Sequence, residues 1–184
     1  SEGAQISALY AAKNPSKVSK MILVSGLPHS PKLEKVWWLP KFLKYIILKR
    51  GVDKTVRDWG KGLFMKKSLP REYRKSMPSE FHEVLSLFER ESLDPQTLKK
   101  LFYKSGRHDV TPFLKDVKVP TLVAHSKDDL IVPFYLGKKL HDSIEGSEFL
   151  SLDGFGHSLF YDPESLIISS FLAFLSNTKK VNSL

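Results

Sequence analysis

Apolar and polar positions along the chain fall into two kinds of segment. Residues 2–13 (EGAQISALYAAK) are rich in Ala, Ile, Leu and Tyr and predict a helix buried on more than one side. Asn14-Pro15 ends it, because a residue before proline is pushed out of the helical region. Met21-Ile-Leu-Val24 is a continuous apolar run with polar neighbours and Gly26 behind it. Continuous rather than alternating apolarity suits a strand buried on both faces, as in a parallel sheet. Pro120-Thr-Leu-Val-Ala124 reads as another short buried strand, and Glu148-Phe-Leu-Ser-Leu152 as a third. Between those two, residues 134–144 predict a helix. Asp162-Pro163 opens a last amphipathic helix over 163–176, with Leu166, Ile167, Phe171, Leu172 and Phe174 available for burial. The tail NTKKVNSL is expected to fray.

Residues 28–112 differ from both flanks. They carry helical patterns, many Lys and Arg, and no clear strand. Trp37, Trp38, Phe42, Ile46 and Ile47 fall near helical spacing; Ser79 can cap a helix running to about Glu91, and Asp94-Pro95 is a cap followed by proline. The chain therefore predicts an α/β fold with a parallel sheet, in three parts: a first piece of the core (1–27), a helical insertion (28–112) and the rest of the core (113–184). Three strands make a poor doubly wound sheet, so further central strands are expected ahead of Ser1 or in another chain.

Composition narrows this picture only a little. With 184 residues, 41% hydrophobic and 27% charged, the chain has the balance of a globular domain with a sizeable core. The formal net charge of +9 would favour anionic partners, but the Lys and Arg are spread out and form no basic block, so no nucleic-acid partner is expected. There is no cysteine, which excludes disulfides and thiolate chemistry and fits a reducing compartment such as the cytoplasm. Apolar runs fall well short of the ~20 residues that span a bilayer.

Three short stretches could carry chemistry. Ser1-Glu2-Gly3-Ala4 opens the first helix, His125-Ser-Lys-Asp-Asp-Leu-Ile-Val-Pro133 follows the second strand, and Gly154-Phe-Gly-His157 follows the third. Each has a plainer reading. A serine at a helix start is more often a cap than a nucleophile, Asp128-Asp129 could be an exposed acidic turn, and His157 a solvated loop histidine. Together, and in the order Ser…Asp…His with each at a strand end, the three stretches resemble the second half of the α/β-hydrolase superfamily, over nearly the whole chain.

That resemblance implies a Ser-His-Asp triad of Ser1, His157 and Asp129. The family's G-x-S-x-G elbow is present as Ser1-Glu2-Gly3, with its first two residues expected upstream. The family's acid stands three residues before a Val-Pro pair, as in H-G-x-x-D-x-x-V-P, which selects Asp129 ahead of Val132-Pro133; Asp128 remains the alternative. The sequence departs from that pattern at Ser126, where Gly is usual. One oxyanion donor would be the backbone N–H of Glu2, at a helix N-terminus. The second is expected from the upstream half of the protein, which the fold needs for completion; loss of one such donor typically costs about 100- to 1,000-fold in rate. The helical insertion sits where the family places its cap. An N-terminal-nucleophile mechanism, with the α-amine of Ser1 as base, is made unnecessary by Asp129 and His157.

The expected activity is hydrolysis of a carboxylic ester or related acyl bond, carboxylesterase- or lipase-like, on a small-molecule substrate and with no cofactor. A serine nucleophile argues against dehalogenase and epoxide hydrolase chemistry, which in this family relies on Asp. Amidase, peptidase and carbon–carbon hydrolase activities, and a non-catalytic binding protein on the same fold, are the alternatives. Trp37, Trp38 and Phe42 are expected to line an apolar pocket with Ile131 and Leu159. For the stretch 36–49, packing between cap and core is favoured over membrane contact. His125 is expected to be structural, holding the turn before Asp129. His29, His82, His108 and His141 lack metal-ligand spacing, and no metal is expected.

Overall fold

A computed structural model of the protein describes residues 1–30, 41, 45, 67–69, 75, 83, 108–159 and 166–176. The chain divides into two compact units, Ser30–His108 and the remainder. The second of these carries three parallel strands: β1 (Met21–Val24), β2 (Thr121–Ser126) and β3 (Glu148–Leu152), in the order β1-β2-β3. Met21 stands opposite Thr121, and Ser126 opposite Leu152. The helices are α1 (Glu2–Lys13), α2 (Phe134–Asp142) and α3 (Leu166–Ser176). Two short 3-10 turns, Pro15–Lys17 and Thr111–Asp116, complete the elements of this unit among the described residues.

Successive strand residues point to opposite faces, and each face has its own core. Met21, Leu23 and Val123 pack with Ala4, Ala8 and Ala11 of α1 and Leu140 of α2. Leu122 and Ala124 face the other way, onto Leu159 and onto Ile167 and Phe171 of α3. The continuous apolarity read from the sequence has this cause: every residue of β2 is buried.

The helix α1 differs from expectation. It is not buried by its large residues. Ala4, Ala8 and Ala11 are buried, whereas Ile6 is 60% exposed and Tyr10 52%. The inward stripe is small because the helix lies close to the chain leaving β1: a Cβ added at Gly26 would stand 2.6 Å from Cβ of Ala4. Gly26 is glycine for want of room.

The chain leaves this unit and returns to it at one place. His29 and Asp109 form an isolated antiparallel bridge, and the N–H of Val110 donates to the carbonyl of Pro28 at 3.0 Å. Thr111 and the residues after it therefore belong with the sheet, a few residues earlier than the sequence pattern suggests. Of the unit Ser30–His108, the described residues Lys41, Tyr45, Lys67, Ser68, Lys75 and Glu83 are helical, and Ser68 and Leu69 are buried. Trp37, Trp38, Phe42 and His82 lie outside the described residues.

Candidate active site

The Asp129 and His157 stretches follow the carboxyl ends of β2 and β3, and the backbone nitrogen of Ser1 is bonded to Val24 at the carboxyl end of β1, the edge where ligands bind in open α/β sheets. The turn after β2 is built around one carboxylate. Asp129 is 5% exposed, and all its acceptor capacity is directed. Its Oδ1 accepts the backbone N–H groups of Ile131 and Val132, each at 2.8 Å. Its Oδ2 accepts Nδ1 of His157 at 2.8 Å and Nε2 of His125 at 3.2 Å. Burial by itself would raise the pKa of this carboxyl. The hydrogen bonds from His125 and His157, the charge of His157 and the Val132 amide outweigh burial and hold it down at about 2. Asp129 is thus the residue that engages His157, and Asp128 does not share that contact.

His125 does more than hold a turn. It is fully buried, and its Nε2 lies 2.8 Å from the carbonyl of Val132 as well as beside Asp129. Both neighbours are acceptors, so Nε2 carries the proton. Its Nδ1 has no hydrogen-bond partner and faces Gly137, where an added Cβ would lie 2.0 Å away. The direct contact with Asp129 was missed in the sequence; its only signal was a histidine on a buried strand four residues before the acid.

His157 is 7% exposed and sits at the end of a turn containing Gly154 (φ 81°) and Gly156 (φ 61°). These backbone angles favour glycine, and they explain the G-x-G-H spacing. The carbonyl of His157 accepts the hydroxyl of Ser25 at 2.8 Å. Ser25 follows β1, is 1% exposed, and has φ 47°, a left-handed angle that non-glycine residues seldom adopt. Its neighbour Val24 accepts the backbone nitrogen of Ser1 at 2.7 Å. Two consecutive residues at the end of β1 thus hold the Ser1 and His157 segments.

Ser1 precedes α1 but makes no side-chain cap bond to it. Ser1 thus occupies the N-cap position of α1 without using its hydroxyl as the cap. The helix is tied at its start through the backbone instead, Ala4 N–H to the Ser1 carbonyl at 3.0 Å.

Two expected pocket residues are placed. Ile131 is buried in the Asp129 turn, and Leu159 is 1% exposed and packs within the core cluster beneath α3. Among the described residues, no three His, Cys, Asp or Glu side chains converge as a metal site. Among them also, no helix is long and apolar enough to cross a membrane.

Residues 1–164 match the protein family described as serine aminopeptidase, S33. The chain belongs to this family of α/β-hydrolases. Among curated proteins, it is similar to the AB hydrolase superfamily protein YisY of Bacillus subtilis, with 29% identity over 192 residues, covering 97% of this chain and 65% of YisY. Among solved structures, it resembles MGS-M2, an α/β-hydrolase enzyme from a deep-sea metagenome library of the Medee basin (TM-score 0.76, 21% identity, 97% of this chain and 63% of that one). It also resembles the enol-lactonase of Burkholderia xenovorans LB400 (TM-score 0.78, 16% identity, 96% of this chain and 64% of that one). These likenesses establish the α/β-hydrolase fold, with its parallel sheet and flanking helices. The chain spans less than two thirds of the length of each of these three proteins.

Proposed function

We propose that the protein is a serine hydrolase that cleaves a carboxylic ester or related acyl bond through Ser1, His157 and Asp129. The observation that carries this reading is the hydrogen bond between Nδ1 of His157 and Oδ2 of Asp129, 2.8 Å long and buried. With Nδ1 engaged, proton transfer runs through Nε2. His157 takes the proton of the Ser1 hydroxyl as that oxygen attacks the acyl carbon, and returns it to the leaving group. Asp129 orients the imidazole and stabilises its charged form. Its depressed pKa supports that role, since it stays ionised throughout. Water then attacks the acyl-enzyme by the same route in reverse. The backbone N–H of Glu2, at the start of α1, is the proposed donor to the oxyanion. The unit Ser30–His108 is proposed as the cap. A cytoplasmic location is part of the same reading.

Full-length protein treated with a fluorophosphonate label should carry it on Ser1, as mapped by mass spectrometry. Folded protein that leaves Ser1 unlabelled would overturn the assignment. A second reading, cleavage of a peptide or amide bond, is favoured by the description of the matching family as an aminopeptidase. It uses the same three residues. Paired rates on nitrophenyl esters and amino-acid nitroanilides separate the two: the ester reading expects the esters to be cleaved faster by orders of magnitude.

A further inference from the structure

The turn that carries His157 presents three consecutive backbone N–H groups toward one place. Gly154 donates to Oδ1 of Asp128 at 3.0 Å, and Gly156 donates to both carboxylate oxygens at 3.3 Å. Phe155, between them, donates to the hydroxyl of Ser126 at 3.3 Å, and that hydroxyl donates in turn to Oδ1 of Asp128 at 2.5 Å. Converging amides of this kind, made by left-handed residues within a turn, form a concavity that binds anions. Here the anion is a side chain of the protein itself, delivered from the turn after β2. Gly154 supports this account, since a Cβ there would meet nothing within 4 Å while its φ of 81° would still be strained. The glycine serves the direction of the amides and not the space around them.

We propose that Asp128 is a positioning residue for the proposed base, its carboxylate filling the amide concavity at Gly154–Gly156 and thereby fixing where the His157 ring stands. The two adjacent carboxylates divide the work. Asp129 holds the imidazole, and Asp128 holds the backbone that bears it. Ser126 completes the arrangement by bridging Asp128 to the middle amide, which a glycine at this position could not do. The Ser25 hydroxyl on the His157 carbonyl anchors the far end of the same turn. Asp128 is exposed, so water can replace its contacts if it is removed. The effect of removal therefore falls on geometry more than on stability. A misplacement of about 1 Å at a catalytic group can lower a rate by about 100-fold.

This inference rests on His157 acting as the base, and its test separates the two claims. The full-length protein and its Asp128→Asn, Asp128→Ala and Ser126→Gly variants would be compared by rate of fluorophosphonate labelling and ester turnover across pH. Amide hydrogen exchange at residues 154–156 would be followed in parallel. Asp128→Asn keeps the volume but turns one acceptor into a donor facing the amides. It is expected to lower kcat about 10- to 100-fold with KM little changed, to move the pH profile, and to speed exchange at all three amides. Ser126→Gly should produce a loss of only a few fold and affect the Phe155 amide most. Should Asp128→Ala fail to fold, Asp128→Asn and Ser126→Gly decide the matter. Variants with wild-type rates, pH profile and exchange would overturn the proposal. If the wild type is not labelled at Ser1, the functional reading fails by itself. Exchange at 154–156 in the variants then decides whether Asp128 holds the turn: unchanged exchange refutes it.

Discussion

The turns after β2 and β3 carry Asp129 and His157, the proposed acid and base, yet they are held in different ways. The β2 turn is largely self-contained. Asp129 accepts the amides of Ile131 and Val132, two and three residues ahead of it, and its own N–H donates to the Ser126 carbonyl at 3.3 Å. The β3 turn relies on groups from elsewhere: Asp128 and Ser126 on its amides, and Ser25 on the carbonyl of His157. The acid is thus positioned by local sequence and the base by tertiary contacts. Substitutions in the first turn should act on the carboxylate directly, whereas the second can be disturbed from residues over 25 positions away.

The strongest way to break this comparison is Asp129→Asn. The amide can no longer accept from both His125 and His157, and the His157 tautomer is lost. Turnover of the full-length protein should fall about 10,000-fold, with substrate binding nearly unchanged, in steady-state kinetics. A loss smaller than tenfold would mean that the acid is not held as described. Gly137→Ala tests the support behind the acid. The new methyl would collide with the buried ring of His125, and overpacking of this kind costs about 1–3 kcal/mol. A drop of several degrees in Tm is expected, along with impaired turnover.

A third test uses pH. The folded pKa of Asp129 is about 2, below its ordinary value of 3.8. A depressed carboxyl stabilises the fold above its unfolded pKa, and that contribution is lost as pH falls from about 4 through 2. It amounts to roughly 2 kcal/mol. Denaturant midpoints measured down this window should fall, and Asp129→Asn should flatten that part of the curve. The smallest effect belongs to Ser25→Gly. Glycine relieves the left-handed strain while removing the hydroxyl bond to His157, contributions of about 1 kcal/mol each that oppose one another. Stability should stay within about 1 kcal/mol of wild type, while turnover falls.

The same contrast explains what the sequence revealed. The strand 21–24 was legible to the residue from its continuous apolar run, MILV, and 148–152 from Phe149, Leu150 and Leu152, which are half-buried while Glu148 and Ser151 are exposed. Asp129 was singled out by the resemblance to the family's pattern ahead of Val132-Pro133, and its amide partners, Ile131 and Val132, lie within that same short stretch. The role of Asp128 was not legible, because it consists of backbone amides 26 and 28 positions away, which carry no residue signature. The alanine stripe of α1 was misread for a related reason: size patterns report distance to a neighbour only once that neighbour, the Gly26 segment, is known. The packing of Leu159 was not legible either, since which apolar residues near a site face inward depends on α3.

The pairing of Ser126 with Leu152 makes the two strands end level with one another. From that common edge, Asp129 is three residues along one turn and His157 five along the other. The meeting of acid and base is therefore set by a difference in loop length. One residue inserted in either turn would advance its chain by about 3.3 Å, more than the length of the hydrogen bond that joins them. These two short turns should therefore tolerate substitution far better than any change in their length.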